Sequence, residues 1–327
     1  MKYSFLPLFM CLAFVAMAQN QYVIVLHGGA GNGLKREFFD ENREQRYHEA
    51  LKNALLAGKS SLDSGRSGTE TVVEVLSLLE DDSLFNAGRG TVLTYDGQVS
   101  HDASIMAGAD LSAGAISGVN EIRNPIAAAE LVRRKSPHVL LSGDGAEKYA
   151  RLSGLSMSSP EFFETQSSRR ALERYKKRFG SFEGGQDSLR KWGTVGCLVL
   201  DRDGNLAAGT STGGMTAKRY GRIGDSPIIG AGTYAANGFC AVSCTGHGEY
   251  FIRLAIAYQV YARMRFGGVE LAAAVHKVLH EDLQQAGGQG GLIALDQSGE
   301  VVMDFNTAGM LRGFLKEGEE PVTRIFE

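Results

Sequence analysis

Gly193-Thr194-Val195-Gly196-Cys197-Leu198-Val199-Leu200-Asp201-Arg202-Asp203-Gly204-Asn205-Leu206-Ala207-Ala208-Gly209-Thr210-Ser211-Thr212 is the stretch whose reading decides the fold class. Two apolar, strand-length runs, 194–200 and 206–212, flank Asp203-Gly204-Asn205. That pattern predicts an antiparallel hairpin. Downstream lie a glycine-dense loop to Pro227, strand-like runs at 228–234 and 239–245, and helical spacing over 249–265 and 269–284. A last hairpin, 292–295 with 301–305, turns at Gln297-Ser298-Gly299. Upstream, a strand at 22–27 runs into the turn His27-Gly-Gly-Ala-Gly-Asn-Gly33. Helical spacing then joins Tyr47, Ala50, Leu51, Ala54 and Leu55, and again Val72, Val75, Leu76 and Leu79. A loop at 81–90 precedes strands at 91–94, 99–106 and 113–119. Asn124-Pro125 opens a helix ending near Ser136, because proline suits the first helical position, and 138–141 reads as a strand. Strands and helices come in blocks, which predicts α+β with largely antiparallel sheets.

The chain has 327 residues, with 42 glycines, 43% hydrophobic and 22% charged residues, and a net charge of −3. This composition excludes a disordered or collagen-like chain and gives no general attraction to nucleic acid or an anionic membrane. Residues 1–18 read as a signal peptide: Lys2, an apolar run, then Ala16-Met17-Ala18 before Gln19. The expected product is exported, periplasmic or secreted, with no membrane attachment after cleavage. Three cysteines then remain, Cys197, Cys240 and Cys244. The last two would lie about 13 Å apart along one strand, beyond disulfide reach, so all three read as buried apolar groups. Between about 158 and 193 the character changes. Arg169, Arg170, Arg174, Lys176, Lys177 and Arg178 crowd before Gly180, Gly184 and Gly185, which predicts a solvated helix leading into a flexible linker rather than a nucleic-acid site.

Several familiar chemistries fail on spacing. The glycine turn after the first strand runs G-x-G-x-G from Gly29, not G-x-G-x-x-G, and no phosphate-loop Lys-Ser/Thr follows. His276 and His280 are four apart, the separation of two ligands on one helix face. Lys277 stands where the glutamate of H-E-x-x-H belongs, so they read as paired surface or half-buried histidines. No G-x-S-x-G elbow occurs.

What remains is a set of hydroxyl and glycine clusters: Trp192 to Gly196, Thr210 to Gly214, Gly221 to Pro227, and Cys244 to Glu249. They place three threonines at strand ends and put Arg222 and Asp225 three apart in a loop. One cation and one anion so placed suit a zwitterion, an amino acid-like ligand.

Together with His27-Gly-Gly-Ala-Gly31, Leu84-Phe-Asn-Ala-Gly88, Arg123-Asn-Pro125, Ser136-Pro-His-Val139 and Phe305-Asn-Thr-Ala-Gly309, this series resembles the isoaspartyl peptidase/L-asparaginase family. These are the plant-type asparaginases of the N-terminal nucleophile hydrolases. The resemblance covers nearly all of 19–327. It implies a four-layer αββα sandwich built by one precursor that cuts itself between Gly193 and Thr194. An alpha chain, 19–193, and a beta chain, 194–327, would then form one folded domain. Thr194 would be the nucleophile and, through its freed amine, the general base. An α-amine near pKa 7.7–8.0 is better placed for that role than lysine. Gly193, lacking Cβ, would tolerate the strained scissile peptide. Thr212 would hold the nucleophile, and Asn86 would approach it from the first half. Arg222 would pair with the substrate α-carboxylate, Asp225 with its ammonium aided by the Gly248 carbonyl, and Thr245 with the Gly246 N–H would form the oxyanion hole.

The resemblance further implies β-aspartyl dipeptides and L-asparagine as substrates and no cofactor for the chemistry. It implies a structural sodium ion on main-chain carbonyls of Leu79, Glu80, Asp82, Phe85, Ala87 and Arg89, and a heterotetramer from two processed precursors. Two alternatives keep the same recognition: a glycosylasparaginase, and an exported β-aspartyl binding protein without catalysis. Arg89 and Trp192 depart from common family residues, and neither removes a catalytic group.

Overall fold

The computed structural model describes residues 21–180 and 193–326. The expected signal peptide, Trp192, Gly184 and Gly185 lie outside them. In chain order the elements are β1 (Val23–Ala30), α1 (Glu41–Asp63), α2 (Gly68–Asp81), β2 (His101–Ala107), β3 (Ala113–Val119), α3 (Pro125–Lys135), β4 (Leu140–Ser142), α4 (Gly143–Leu152), α5 (Pro160–Phe163), α6 (Gln166–Phe179), β5 (Val195–Leu200), β6 (Leu206–Thr212), β7 (Thr233–Ala236), β8 (Cys240–Gly246), α7 (Gly248–Leu254), α8 (Ile256–Gly267), α9 (Leu271–His276), β9 (Gly290–Asp296), β10 (Val301–Phe305), β11 (Met310–Lys316) and β12 (Val322–Arg324). The fold is α+β.

One sheet has eight strands in the order β12-β11-β1-β5-β6-β2-β3-β4, the other four in the order β10-β9-β8-β7. Pairing is antiparallel except between β3 and β4. The period of two along β1 sorts its side chains. Ile24 and Leu26 pack with Leu51, Leu55, Val75 and Leu76 of α1 and α2. Val23 and Val25 pack instead with Leu198, Leu200, Ile293 and Leu295. On the four-stranded sheet, Cys240, Val242 and Cys244 pack with Ile256, Val260 and Val275 of α8 and α9. The three thiols are free and buried, as expected of small apolar groups.

Local signals explain the helix starts. Asp40 caps α1 by accepting the Arg43 N–H at 2.7 Å. Ser67 and Glu70 close a reciprocal capping box on α2, and Pro125 opens α3.

Several expectations need correction. Residues 91–94 form no strand, because their backbone groups are spent on loops. Val92 N donates to Asn86 Oδ1, Thr94 N to Gln98 O, and Leu93 O accepts from Ala217 N. Of 228–234 only the end is a strand, since Ile228 O takes the N–H groups of both Ala231 and Gly232 and folds the segment on itself. The helix over 249–265 breaks at Ala255, which sits at φ 48°. The helix over 269–284 becomes a π-helix at Lys277–Leu283. The basic stretch forms the expected helix, α6, but one face of it is buried and not solvated. Phe163, Leu172 and Tyr175 bury against Leu93, Val99 and Ala217. Strands β11 and β12 and helix α4 were not anticipated. No helix among the described residues is long and apolar enough to cross a membrane.

Candidate active site

Three strand ends build the site. The β5–β6 register sets Val195 opposite Ser211, so the residues one step outward, Thr194 and Thr212, meet at the open end of the hairpin. Thr194 Oγ1 donates to Thr212 Oγ1 at 3.1 Å, and Thr212 Oγ1 lies 3.5 Å from the Gly193 carbonyl oxygen. The Gly214 N–H donates to the same Thr212 oxygen at 2.9 Å, which fixes it in place. One hydroxyl thus touches both the proposed nucleophile and the bond it would cut.

The backbone of Gly193 is pinned from two sides. A Cβ on Gly193 would stand 3.1 Å from Asn86 Cβ, and one on Gly29 would stand 2.6 Å from Gly193 Cα. Gly29 has φ +109°, a conformation that disfavours any side chain. The Asn86 carboxamide is occupied in joining loops: Nδ2 donates to Gly214 O at 2.8 Å and Oδ1 accepts from Val92 N at 2.9 Å.

Opposite the threonines stand the two charges. Asp225 is buried, Oδ2 finds no hydrogen-bond partner, and burial pushes its pKa up to about 7 against the opposing pull of Arg222. Arg222 is held by Glu249 through Nε and Nη2. A Cβ on Gly248 would lie 2.8 Å from both Arg222 Nη2 and Asp225 Oδ1, so only glycine fits between them. Thr245, at the end of β8, accepts the Ala30 N–H at 3.3 Å, which leaves its own O–H to be donated.

Gly193, Thr194, Thr212, Arg222, Asp225 and Gly246 line one cleft. Thr245, Asn86 and Gly248 do not line it; Asn86 packs on Gly193 and Gly248 on Arg222 and Asp225. The volume of the cleft is about 20 Å³, room for a water molecule. In the loop 79–89, Glu80 O accepts from Arg89 N at 2.6 Å and Asp82 O from Phe85 N at 3.3 Å.

Sequence reasoning missed the buried polar chain under this cleft. His27 Nε2 lies 3.0 Å from Ser243 Oγ, Ser243 bonds Thr210 at 2.7 Å, and Thr210 bonds Thr233 at 2.6 Å. Burial pushes His27 down to about 3, so the ring is neutral. Lys218 was missed too: its Nζ donates to Ser100 O at 3.0 Å, 3.7 Å from Asp102, and a Cβ on Gly214 would meet it at 2.9 Å. Strand alternation could have flagged Ser243 and Thr210. Nothing local flags Lys218, and nothing local gives Glu249 a role, though it closes the Cys244 to Glu249 cluster.

A family model described as asparaginase matches residues 20–325. The chain belongs to the asparaginase family. Relatives within that family include isoaspartyl peptidase of Escherichia coli strain K12, 47% identical over 93% of this chain and 96% of its own length. The probable isoaspartyl peptidase/L-asparaginase 2 of Arabidopsis thaliana is 40% identical over 90% of this chain and 96% of its own. The human isoaspartyl peptidase/L-asparaginase is 37% identical over 91% and 94%. This asparaginase-family chain is therefore similar along almost its whole length to proteins named isoaspartyl peptidase, two of them also L-asparaginase.

Proposed function

We propose that this chain is an autoprocessing threonine hydrolase of β-aspartyl dipeptides and of the L-asparagine side-chain amide. The observation that carries the reading is the Thr194–Thr212 hydroxyl pair beside the Gly193 carbonyl, in the cleft that also holds Arg222 and Asp225. In processing, Thr194 Oγ bonds to the Gly193 carbonyl carbon, the C–N bond breaks, and the nitrogen takes the hydroxyl proton. Water then hydrolyses the ester to a Gly193 carboxylate and a free Thr194. The intact cleft, at about 20 Å³, is far below the 300–1,000 Å³ of ordinary ligand sites, so removing Gly193 from its wall would make room.

In turnover the freed amine takes the Oγ proton and Oγ attacks the side-chain carbonyl of the substrate. Thr245 Oγ and the Gly246 N–H steady the oxyanion. The leaving amine departs with the proton, and water releases aspartate from the β-aspartyl ester. Arg222 grips the α-carboxylate and Asp225, ionised, the α-ammonium, with the Gly248 carbonyl beside it.

Three of the core clusters, helix on sheet, sheet on sheet and sheet on helix, support a four-layer αββα arrangement, with alpha chain 19–193 and beta chain 194–327 in one domain. Main-chain oxygens of Leu79, Glu80, Asp82, Phe85, Ala87 and Arg89 would hold a sodium ion, which would stiffen the loop carrying Asn86. A Cβ on Gly90 would lie 2.4 Å from Phe85 O and 2.7 Å from Ser83 O, so two carbonyls of this loop face that glycine. Export and pairing into a heterotetramer complete the proposal.

Denaturing intact mass of the purified protein tests it. Two chains are expected, the second starting at Thr194, with one uncut chain in Thr194→Ala. A single chain in the native protein overturns the reading and favours a non-catalytic binder. Release of sugar from N-glycosylated asparagine faster than cleavage of isoaspartyl dipeptides would favour a glycosylasparaginase.

A further inference from the structure

Away from the cleft, the π-helix at Lys277–Leu283 gathers an unusual set of side chains. His276 ends α9 just before it and His280 lies within it. Their rings stack with centroids 4.8 Å apart and planes 29° from parallel. His280 Nε2 also sits 3.0 Å from both carboxylate oxygens of Asp304 on β10. One ligand atom from each residue lies within 4.8 Å of the other two. We propose that His276, His280 and Asp304 form a binding site for a divalent transition cation, with zinc the best match.

The donor set selects the cation. Two imidazoles and a carboxylate suit zinc and its neighbours and do not suit calcium or magnesium, which want oxygen alone. In a tetrahedral site with bonds of 2.0–2.1 Å, ligand atoms stand about 3.3 Å apart. The His280–Asp304 separation is within a few tenths of an ångström of that. The longest separation closes by turning His276, which is exposed and so able to turn. A salt bridge between His280 and Asp304 alone gives no reason for a second imidazole to stack beside them.

The π turn adds an independent argument. Such turns are uncommon and recur at functional sites, because the extra residue re-aims side chains. Here it falls on the segment that carries His280 toward β10. Three protein ligands leave a fourth position for water, so the cation would tie the π-helix to the edge strand of the smaller sheet. The site is not the catalytic one. Asp304 pairs with Leu292, and Leu292 with Cys244, which sets Asp304 two strands, about 10 Å, from the β8 end that carries Thr245.

The test uses the purified protein as isolated, stripped with chelator, titrated calorimetrically with zinc chloride and, in parallel, with cobalt(II) followed by its visible d–d absorption. One equivalent per chain is expected, with the intense bands of a four-coordinate cobalt site and a rise in Tm on zinc addition. His276→Ala and Asp304→Asn should each weaken binding at least 30-fold and abolish the Tm rise. His276 is exposed, so that variant should fold and decides the matter if Asp304→Asn does not. No binding, or binding of equal strength in wild type and His276→Ala, overturns the proposal.

Discussion

Glu249 holds Arg222 by one edge of its guanidinium: Nε meets Oε1 at 2.9 Å and Nη2 meets Oε2 at 3.0 Å. An arginine has five N–H groups in a planar fork, so this pair uses one side of the fork and orients the other. A Cβ on Gly224, a residue of the cleft wall, would lie 2.8 Å from Nη1, which sets the remaining edge along that wall. Glu249 therefore acts on substrate through Arg222, as a positioning residue. Glu249→Ala should raise KM for an isoaspartyl dipeptide about 3- to 10-fold with kcat little changed, the pattern of lost uniform binding. A lower KM in steady-state assays would instead make Glu249 a competitor of the substrate.

Thr212 touches Thr194 and approaches the Gly193 oxygen, so it serves both the cut and the turnover. Thr212→Val keeps the shape and removes the hydroxyl. Processing, followed by gel over time, should slow about 100-fold or more, and residual processed enzyme should show a matching loss in kcat. Unchanged processing would place the Thr194 proton elsewhere.

Gly29 carries a positive φ and lies against the scissile glycine. Gly29→Ala should block processing and lower Tm by several degrees, because both backbone strain and a clash at 2.6 Å must be relieved. Gly33, with nothing within 4 Å of a Cβ, is the control, and Gly33→Ala should process normally.

Asp225 is raised to about 7 by burial, with Arg222 pulling the other way. The substrate ammonium needs the ionised form. As pH falls through about 7 the carboxylate takes a proton, which should lower kcat/KM about tenfold per unit on top of the loss caused by protonation of the Thr194 amine near 7.7–8.0. The stability effect has the opposite sense. The folded state binds this proton more tightly than the unfolded state, whose aspartate titrates near 3.9. Stability is therefore lost as pH rises from there through about 7. Asp225→Asn should be inactive yet unfold at a higher temperature than wild type at pH 8, as calorimetry would show. An Asp225→Asn Tm at or below wild type at pH 8 would mean that ionised Asp225 is well solvated.

What the sequence determined by itself was local. The helix start at Asn124-Pro125, the strand-length runs at 113–119, 206–212 and 301–305, and the hairpin turn at Asp203-Gly204-Asn205 each depend on neighbours a few residues away, and those elements stand where they were read. The ordered motifs likewise pointed to the family before any geometry was available. Tertiary structure decided whatever needed partners distant in the chain. The Ile228 turn and the π-helix overrode patterns that looked regular, since backbone groups there found other partners. His27 meets Ser243 across 216 residues and Arg222 meets Glu249 across 27, and the distance between Thr194 and Thr212 follows from strand register. A shift of one residue in any of those registers would turn the side chains to the opposite face, and only the assembled sheets fix it.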